Sequence, residues 1–138
     1  MNIDPIHNGI VIDHIPAGAA MELYRLLGLD KLDCAVAIIT NAHSNKTVKK
    51  DIIKIDSVIE LDFDLIGYIA PNACINIIRN DERVEKRAVT LPKRLTNVIQ
   101  CKNPRCITAV EQELDQVFLL TDEEKKIYRC VYCETKAN

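Results

Sequence analysis

Two short cysteine pairs stand near the end of this 138-residue chain, CKNPRC at residues 101–106 and CVYC at residues 130–133. The first pair is Cys101 and Cys106, the second is Cys130 and Cys133, and 23 residues separate the pairs. Each pair can turn the backbone so that two sulfurs converge, and Asn103-Pro104 is a typical turn dipeptide. Four thiolates complete a tetrahedral zinc ion and leave no open position for water, so the pattern predicts one structural zinc per chain. A disulfide pair and four unrelated thiols are the alternatives, and the spacing favours zinc.

The composition is that of a folded protein with little net charge. Hydrophobic residues make up 48%, enough for one compact domain or two small ones, and the formal charge is -2. No run of eighteen apolar residues occurs, and the start, MNIDPIHNG, lacks the basic and apolar stretches of an export signal. We therefore expect no membrane partner and a cytoplasmic location, where disulfides rarely persist.

The first two thirds of the chain alternate strand-like and helix-like segments. The strand candidates are GIVIDHIP (9–16), CAVAIIT (34–40), KKDIIKIDS (49–57), ACINIIRN (73–80) and ERVEKRAV (82–89). The helix candidates are residues 18–29 and 60–70, and a polar loop is predicted over NAHSNKT (41–47). This order, β-α-β-β-α-β with an extra strand, predicts an α+β fold: a ferredoxin-like sandwich of an antiparallel sheet and two helices.

The last third reads as a small antiparallel β domain around the cysteines. We interpret LPKRLTN (91–97) as the linker, and predict strands in NVIQC, ITAVEQEL, QVFLLT and KIYRCVYC. The predicted domains are therefore residues 1–93 and 94–138.

One face of the predicted sheet should carry polar residues. The two-residue period of a strand places Lys50 and Lys54 on one face and Ile53 on the other, and separates Lys86 from Arg87 in the same way. In VIDHIP, Asp13 and His14 interrupt an apolar run. Two explanations stay open: a satisfied buried pair, or a small pocket in which Asp13 accepts hydrogen bonds from sugar hydroxyls while His14 and the lysines bind phosphates.

With VIDHIP, KDIIKID (50–56), LPKRLTNV (91–98) and the four-cysteine array in this order, the chain resembles the regulatory chain of aspartate carbamoyltransferase over almost its whole length. The resemblance implies a non-catalytic subunit that binds nucleoside triphosphates of the CTP, ATP and UTP class in its N-terminal domain. It further implies a C-terminal zinc domain that docks on the catalytic chain, pairing of regulatory chains as a homodimer, and feedback control of pyrimidine biosynthesis.

Position by position, the resemblance assigns residues to two sites. The nucleotide-binding residues are Asp13, His14, Lys50, Lys54, Asn76 and Lys86, and the catalytic-chain contacts are Asn103 and Glu134. The chain departs from better-known members at Asp81 and Arg83, which replace an aromatic and an aliphatic residue near the base, and at Arg105, which replaces a smaller polar residue. These departures imply a changed nucleotide preference and a changed partner specificity.

Two other functions fit the sequence less well. A zinc-ribbon protein that binds nucleic acid needs a basic, aromatic surface, but aromatic residues make up 4% of the chain and acidic residues outnumber basic ones by 20 to 18. We therefore expect no nucleic-acid partner. A metal-dependent hydrolase needs an open coordination position, which four cysteine ligands do not leave. No nucleophile motif and no glycine-rich phosphate loop occurs, so we expect no enzymatic activity.

Overall fold

The computed structural model describes residues 5–43 and 48–137, and it divides the chain after Thr90 into two compact units. The first unit contains, in chain order, β1 (Gly9–Pro16), α1 (Ala20–Leu26), a 3-10 turn (Leu29–Lys31), β2 (Val36–His43), β3 (Lys49–Ile55), α2 (Phe63–Ile69), β4 (Cys74–Arg79) and β5 (Glu82–Ala88). The second contains β6 (Arg94–Thr96), α3 (Ile107–Val110), β7 (Val117–Asp122) and β8 (Ile127–Cys130).

The sheet of the first unit has the strand order β2-β3-β1-β4-β5, and every neighbouring pair is antiparallel. Its first four strands have the order of a ferredoxin-like sandwich, and β5 is the extra strand. The predicted fold class is therefore confirmed. Isoleucines on one face of β1, β3 and β4 form the core with Ala20, Leu23 and Ile66 of the helices, all fully buried.

Local sequence explains where the helices of this unit begin and end. The Asp62 carboxylate accepts a hydrogen bond from the Leu65 N–H, as an N-cap residue should, and α2 begins at Phe63. Helix α1 ends before Gly28, which adopts the left-handed conformation that favours glycine after a helix (φ 68°). None of the described helices has the length and apolarity that a membrane span requires.

Strand β2 runs further than the sequence predicted. It continues through Asn41 to His43, so the first three residues of the predicted 41–47 loop are strand, and residues 44–47 lie outside the described part of the chain. The extension is possible because Asn41 forms a bulge (φ 57°) that keeps β2 paired with β3.

The sheet of the second unit has the order β6-β7-β8 and is antiparallel, as predicted. Two details of the prediction were wrong. The first strand is Arg94–Thr96, inside the segment interpreted as a linker, and not NVIQC (97–101), because Leu95 is fully buried opposite Phe118 of β7. The segment after Cys106 begins with the short helix α3 instead of a strand, because its first turn donates hydrogen bonds back to Cys106, including Ala109 N–H to the Cys106 carbonyl at 2.9 Å.

Candidate ligand face and metal centre

A row of five residues in register crosses the open face of the first sheet, the face turned away from α1 and α2. In strand order it is Ala37, Lys54, Val11, Asn76 and Lys86. Cross-strand partners project from the same face, so both lysines and the amide share one surface. Lys54 and Lys86 are three strand spacings apart, about 14 Å at roughly 4.8 Å per spacing. The surface between them can accommodate an extended anion.

A third lysine, Lys50, lies near this row and is paired with a carboxylate. The Lys50 Nζ lies 2.8 Å from the Asp13 Oδ1, and the two side chains are 18% and 25% exposed. The Asp13 carboxylate also accepts the His14 N–H at 2.7 Å. Burial raises the pKa of Asp13, but the hydrogen bonds from Lys50 and His14 and the positive charges of both residues outweigh burial and lower it. The carboxylate is therefore a charged acceptor at neutral pH.

A bulge in β1 explains how Asp13 and His14 come to stand together. Ile12 pairs with Ile53 and Ile15 with Asp51, so Asp13 and His14 both oppose a single residue of β3, Ile52. His14 takes the left-handed conformation (φ 58°) and is exposed. His14 is exposed while Asp13 is half-buried against Lys50, so the two neighbouring side chains do not form a buried pair with each other.

Asn76 provides a polar atom without a partner in the middle of the row. Its Nδ2 lies 3.5 Å from the Val11 carbonyl oxygen, at the limit of a hydrogen bond, and among the described residues nothing pairs with its buried Oδ1. Buried side-chain oxygens are normally hydrogen-bonded, and each exception requires a reason. A bound ligand that donates to Asn76 would supply one.

A cavity of about 440 Å³ opens beside Lys54, which is within the size range of small-molecule sites. Its lining comes from three segments of the chain: Pro5, Ile6 and His7; Ala35, Val36 and Ala37; and Lys54 with Asp56. His7 is fixed to the β4–β5 turn, where its ring contacts the Asp81 carboxylate and its carbonyl accepts the Asp81 N–H at 3.0 Å. Asp81 therefore helps to set the shape of this cavity, because it holds His7, one of the lining residues, in position.

The four cysteines of the second unit converge. All four Sγ atoms lie within 4.8 Å of one another, with Cys101 and Cys133 3.5 Å apart and Cys106 and Cys130 3.7 Å apart. Sulfurs that bind zinc tetrahedrally at about 2.3 Å are about 3.8 Å apart, so the arrangement fits a zinc ion with four thiolate ligands. The predicted metal site is therefore confirmed. A closed set of this kind supplies folding energy and leaves no position for a reacting group.

Each cysteine pair and the turn between its members forms a knuckle, residues 101–106 and residues 130–133, and a threonine just after each knuckle hydrogen-bonds one of its sulfurs. The Thr108 hydroxyl donates to Cys106 Sγ at 3.1 Å, and the Thr135 hydroxyl lies 3.2 Å from Cys133 Sγ. These hydrogen bonds lower the pKa of the Cys106 thiol and lower that of Cys133 to about 6, which favours the thiolate that binds metal. Burial acts in the opposite direction on the other two thiols, raising the pKa of Cys101 to about 12 and that of Cys130 as well.

The two predicted partner contacts lie within or beside the knuckles. The Asn103 side-chain oxygen accepts the Arg105 N–H at 3.0 Å, which closes the turn between Cys101 and Cys106. Glu134 follows Cys133 and takes a left-handed conformation (φ 64°), while its carbonyl accepts from the Arg129 guanidinium at 3.0 Å. Asn103 therefore stabilises the turn of the first knuckle, and this structural role is separate from its predicted contact with the catalytic chain.

Comparison with known proteins identifies the family. The family model for the aspartate carbamoyltransferase regulatory chain, allosteric domain, matches residues 1–90, and the model for the metal binding domain of the same chain matches residues 93–138. This chain belongs to the family of aspartate carbamoyltransferase regulatory chains. As a member, it is a non-catalytic subunit with an allosteric and a metal-binding domain, and a catalytic chain is its implied partner.

Curated regulatory chains are similar over nearly their full length. The aspartate carbamoyltransferase regulatory chain of Clostridium botulinum is 48% identical over 134 residues, 97% of this chain and 92% of the relative. That of Clostridium tetani is 45% identical over 135 residues, covering 97% and 94%. That of Bifidobacterium longum is 39% identical over 137 residues, covering 99% of both.

In this regulatory chain the structure brings together most of the residues that the sequence singled out. Lys54, Asn76 and Lys86 form one row, while Lys50 pairs with Asp13. The sequence analysis missed Thr108 and Thr135, although each follows a metal-binding cysteine by two positions in a C-x-T pattern. It also missed Asp51, a fully buried carboxylate on the opposite face of the strand that carries Lys50 and Lys54.

Proposed function

We propose that the N-terminal domain, residues 1–93, binds a nucleoside triphosphate of the CTP, ATP and UTP class on the open face of its sheet. The observation that carries the proposal is the row from Lys54 through Asn76 to Lys86. The Lys86 ammonium suits the phosphates of such a ligand and the Lys54 ammonium suits its ribose and base, while the unpartnered Asn76 oxygen suits a donor on its sugar or base. Asp13 is a charged acceptor for sugar hydroxyls, and Lys50 and His14 complete the polar surface.

The zinc domain, residues 94–138, docks on the catalytic chain of aspartate carbamoyltransferase in this proposal. Exposed apolar side chains near the metal centre support a protein contact there: Ile107 and Val110 follow the first knuckle, and Tyr132 lies within the second. Asn103 and Glu134 supply polar contacts beside them. Zinc holds both knuckles, so removal of the metal should abolish docking.

Two regulatory chains pair through their N-terminal domains, and the edge strand β2 is the surface that we propose. The opposite edge strand, β5, has five charged residues among seven, Glu82, Arg83, Glu85, Lys86 and Arg87, which protects it from edge-to-edge pairing. Strand β2, with the sequence VAIITNAH, carries no Asp, Glu, Lys or Arg. Sedimentation velocity, which separates dimer from monomer, tests this surface. Thr40→Lys in β2 should weaken the dimer, and the control Thr96→Lys on the β6 edge should leave it intact.

The zinc site of this proposal needs four reduced cysteines, which fits the reducing compartment expected from the sequence, the cytoplasm. Nucleotide binding regulates the catalytic chain only if nucleotide affinity differs between global states of the assembly. The coupling is reciprocal, so a bisubstrate analogue at the catalytic site must change nucleotide affinity by the same factor.

The test of regulation is the nucleotide affinity of the assembled complex with and without that analogue, measured by calorimetry. We expect the two affinities to differ by about fivefold to about a hundredfold. Equal affinities with clear binding would make the chain a tether that carries a nucleotide site. The same assembly made with Lys86→Ala should remain intact and lose the nucleotide effect.

A further inference from the structure

The Asp51 carboxylate is fully buried and is surrounded by backbone donors. Its Oδ2 accepts the N–H groups of Gly18 at 2.9 Å and Ala20 at 3.2 Å, and its Oδ1 accepts the N–H of Asn41 at 3.0 Å. Neither of the ion pairs that the structure gives for its described residues includes Asp51. A buried carboxylate without a cation is costly unless hydrogen bonds satisfy it, so these three contacts are the reason it is tolerated.

These donors come from two places where regular structure is interrupted. Asn41 is the bulge residue of β2, Gly18 lies in the turn that leads from β1 into α1, and Ala20 is the first residue of α1. Asn41 and Gly18 both have positive φ, 57° and 94°. An N–H turned out of the sheet ladder in the interior needs another acceptor, and Asp51 provides it for both segments.

The same side chain lies next to the bulge that builds the ligand face. Asp51 pairs with Ile15, the first residue after the bulge of Asp13 and His14, and the next residue along β1, Pro16, pairs with Lys50. The stretch from Asp13 to Gly18 is thus held at one end by the bulge and at the other by Asp51. Lys50 and Asp51 are adjacent on β3 and project to opposite faces.

We propose that Asp51 is a positioning residue for the nucleotide site: through the Gly18, Ala20 and Asn41 N–H groups it fixes the β1 bulge, and so the placement of Asp13 and His14 beside Lys50. The inference rests on the proposed nucleotide-binding function. Asp51 itself lies on the core face and does not contact the ligand.

Asparagine at this position tests the proposal because it keeps the size of the side chain and removes one acceptor. Its amide has a single oxygen, so at least one of the three N–H groups would face an NH2 donor. We expect Asp51→Asn in the full-length, zinc-loaded chain to weaken triphosphate binding about tenfold, the lower end of the loss seen when a supporting hydrogen bond is removed at metal sites. The matched control is Asp62→Asn, which alters the cap of α2 and should leave the affinity unchanged.

A double-mutant cycle separates positioning from general destabilisation. If Asp51 acts through Asp13, the affinity lost on Asp13→Asn should be smaller in the Asp51→Asn background than in the wild type. Additive losses would overturn the proposal, as would an unchanged affinity of a folded Asp51→Asn chain.

A second pair of variants covers the case in which Asp51→Asn does not fold. Gly18→Ala strains the same turn (φ 94°) without a steric clash, since an added Cβ meets nothing within 4 Å. Gly28→Ala introduces a positive-φ alanine at an equally open position after α1 (φ 68°). Weaker nucleotide binding in Gly18→Ala alone supports the proposal, and equal binding in the two variants overturns it.

Failure of the underlying nucleotide function gives a different result. In that case the wild-type chain binds no triphosphate, and the positioning role is read from the ligand-free protein. NMR titration of the Asp13 carboxyl should then show a higher pKa in Asp51→Asn than in Asp62→Asn, because Lys50 is no longer held against Asp13. An identical Asp13 titration in both variants would overturn the positioning role.

Discussion

The Lys50 ammonium and the Asp13 carboxylate form an ion pair of 2.8 Å on the open face of the first sheet. Asp13 reaches Lys50 from a bulged strand, although the two residues are 37 positions apart in the chain. Both side chains are largely buried, so water screens their attraction less than at an exposed site. The pair therefore holds the charged form of Asp13 in place for a ligand and ties β1 to β3.

Replacing Lys50 should raise the pKa of Asp13. In Lys50→Gln, burial still disfavours the carboxylate, while the opposing charge is gone and only a neutral amide donor can replace the ammonium. NMR titration of the Asp13 carboxyl measures the shift. Lys49→Gln removes the same charge from the neighbouring exposed residue, and an equal shift there would contradict a specific pair.

The same pair should make stability depend on pH in the acid range. The pKa of Asp13 is lower in the folded chain, so its contribution to the free energy of unfolding is present above the unfolded value of about 3.9 and is lost as pH falls through the folded pKa. Urea unfolding between about pH 5 and pH 2 should therefore show less acid destabilisation in Asp13→Asn than in the wild type. Parallel curves would contradict this.

Lys54 and Lys86 should each contribute to nucleotide affinity. Lys54→Ala and Lys86→Ala should each cost roughly 1.5–3 kcal/mol of binding free energy, the range for hydrogen bonds with charged groups. Arg87→Ala is the control for face, because Arg87 lies on the other side of β5 with its guanidinium 3.8 Å from the Phe63 ring centroid. Calorimetry should find nearly normal affinity in Arg87→Ala, and wild-type affinity in the Lys54→Ala/Lys86→Ala double variant would place the ligand elsewhere.

Loss of one zinc ligand should abolish both metal retention and docking. Cys130→Ser breaks the closed four-sulfur set, whose binding energy in comparable small domains is about 10–16 kcal/mol. Metal analysis and copurification with the catalytic chain measure the two effects. Cys34→Ser, which changes a half-buried cysteine in the N-terminal domain, should retain about one zinc per chain and normal docking. A Cys130→Ser chain that assembles normally would refute the prediction.

The hydrogen bonds between the threonine hydroxyls and the cysteine sulfurs should strengthen zinc binding. Thr135→Val removes the hydroxyl beside Cys133 Sγ, and loss of such supporting contacts typically weakens metal affinity about 10–100-fold. Competition with a chromophoric chelator measures the affinity. The control is Thr121→Val in the same domain, whose hydroxyl donates to the Ile127 carbonyl at 3.2 Å. Equal zinc affinity in both variants would show that the Thr135 contact is incidental.

Local patterns in the sequence determined the elements and the metal site. The period of two in β3 fixes that Lys50 and Lys54 share a face opposite Ile53, whatever the strand pairs with. Cysteine spacing predicts the zinc site because a knuckle is a local turn that brings two sulfurs together. The strand at Arg94–Thr96 was missed because it does not depend on a local pattern. A segment of this length becomes a strand only through its pairing with β7.

The tertiary structure alone decided how the ligand face is assembled. The order of the strands in the sheet places Asn76 between Lys54 and Lys86. The bulges in β1 and β2 each shift the register by one residue, and no local sequence pattern predicts them. The sequence by itself supplied the charges, the periodicity and the four sulfurs. It could not show that the acidic residue between Lys50 and Ile52 is the buried one, because that depends on N–H groups contributed by segments 10 to 33 positions away.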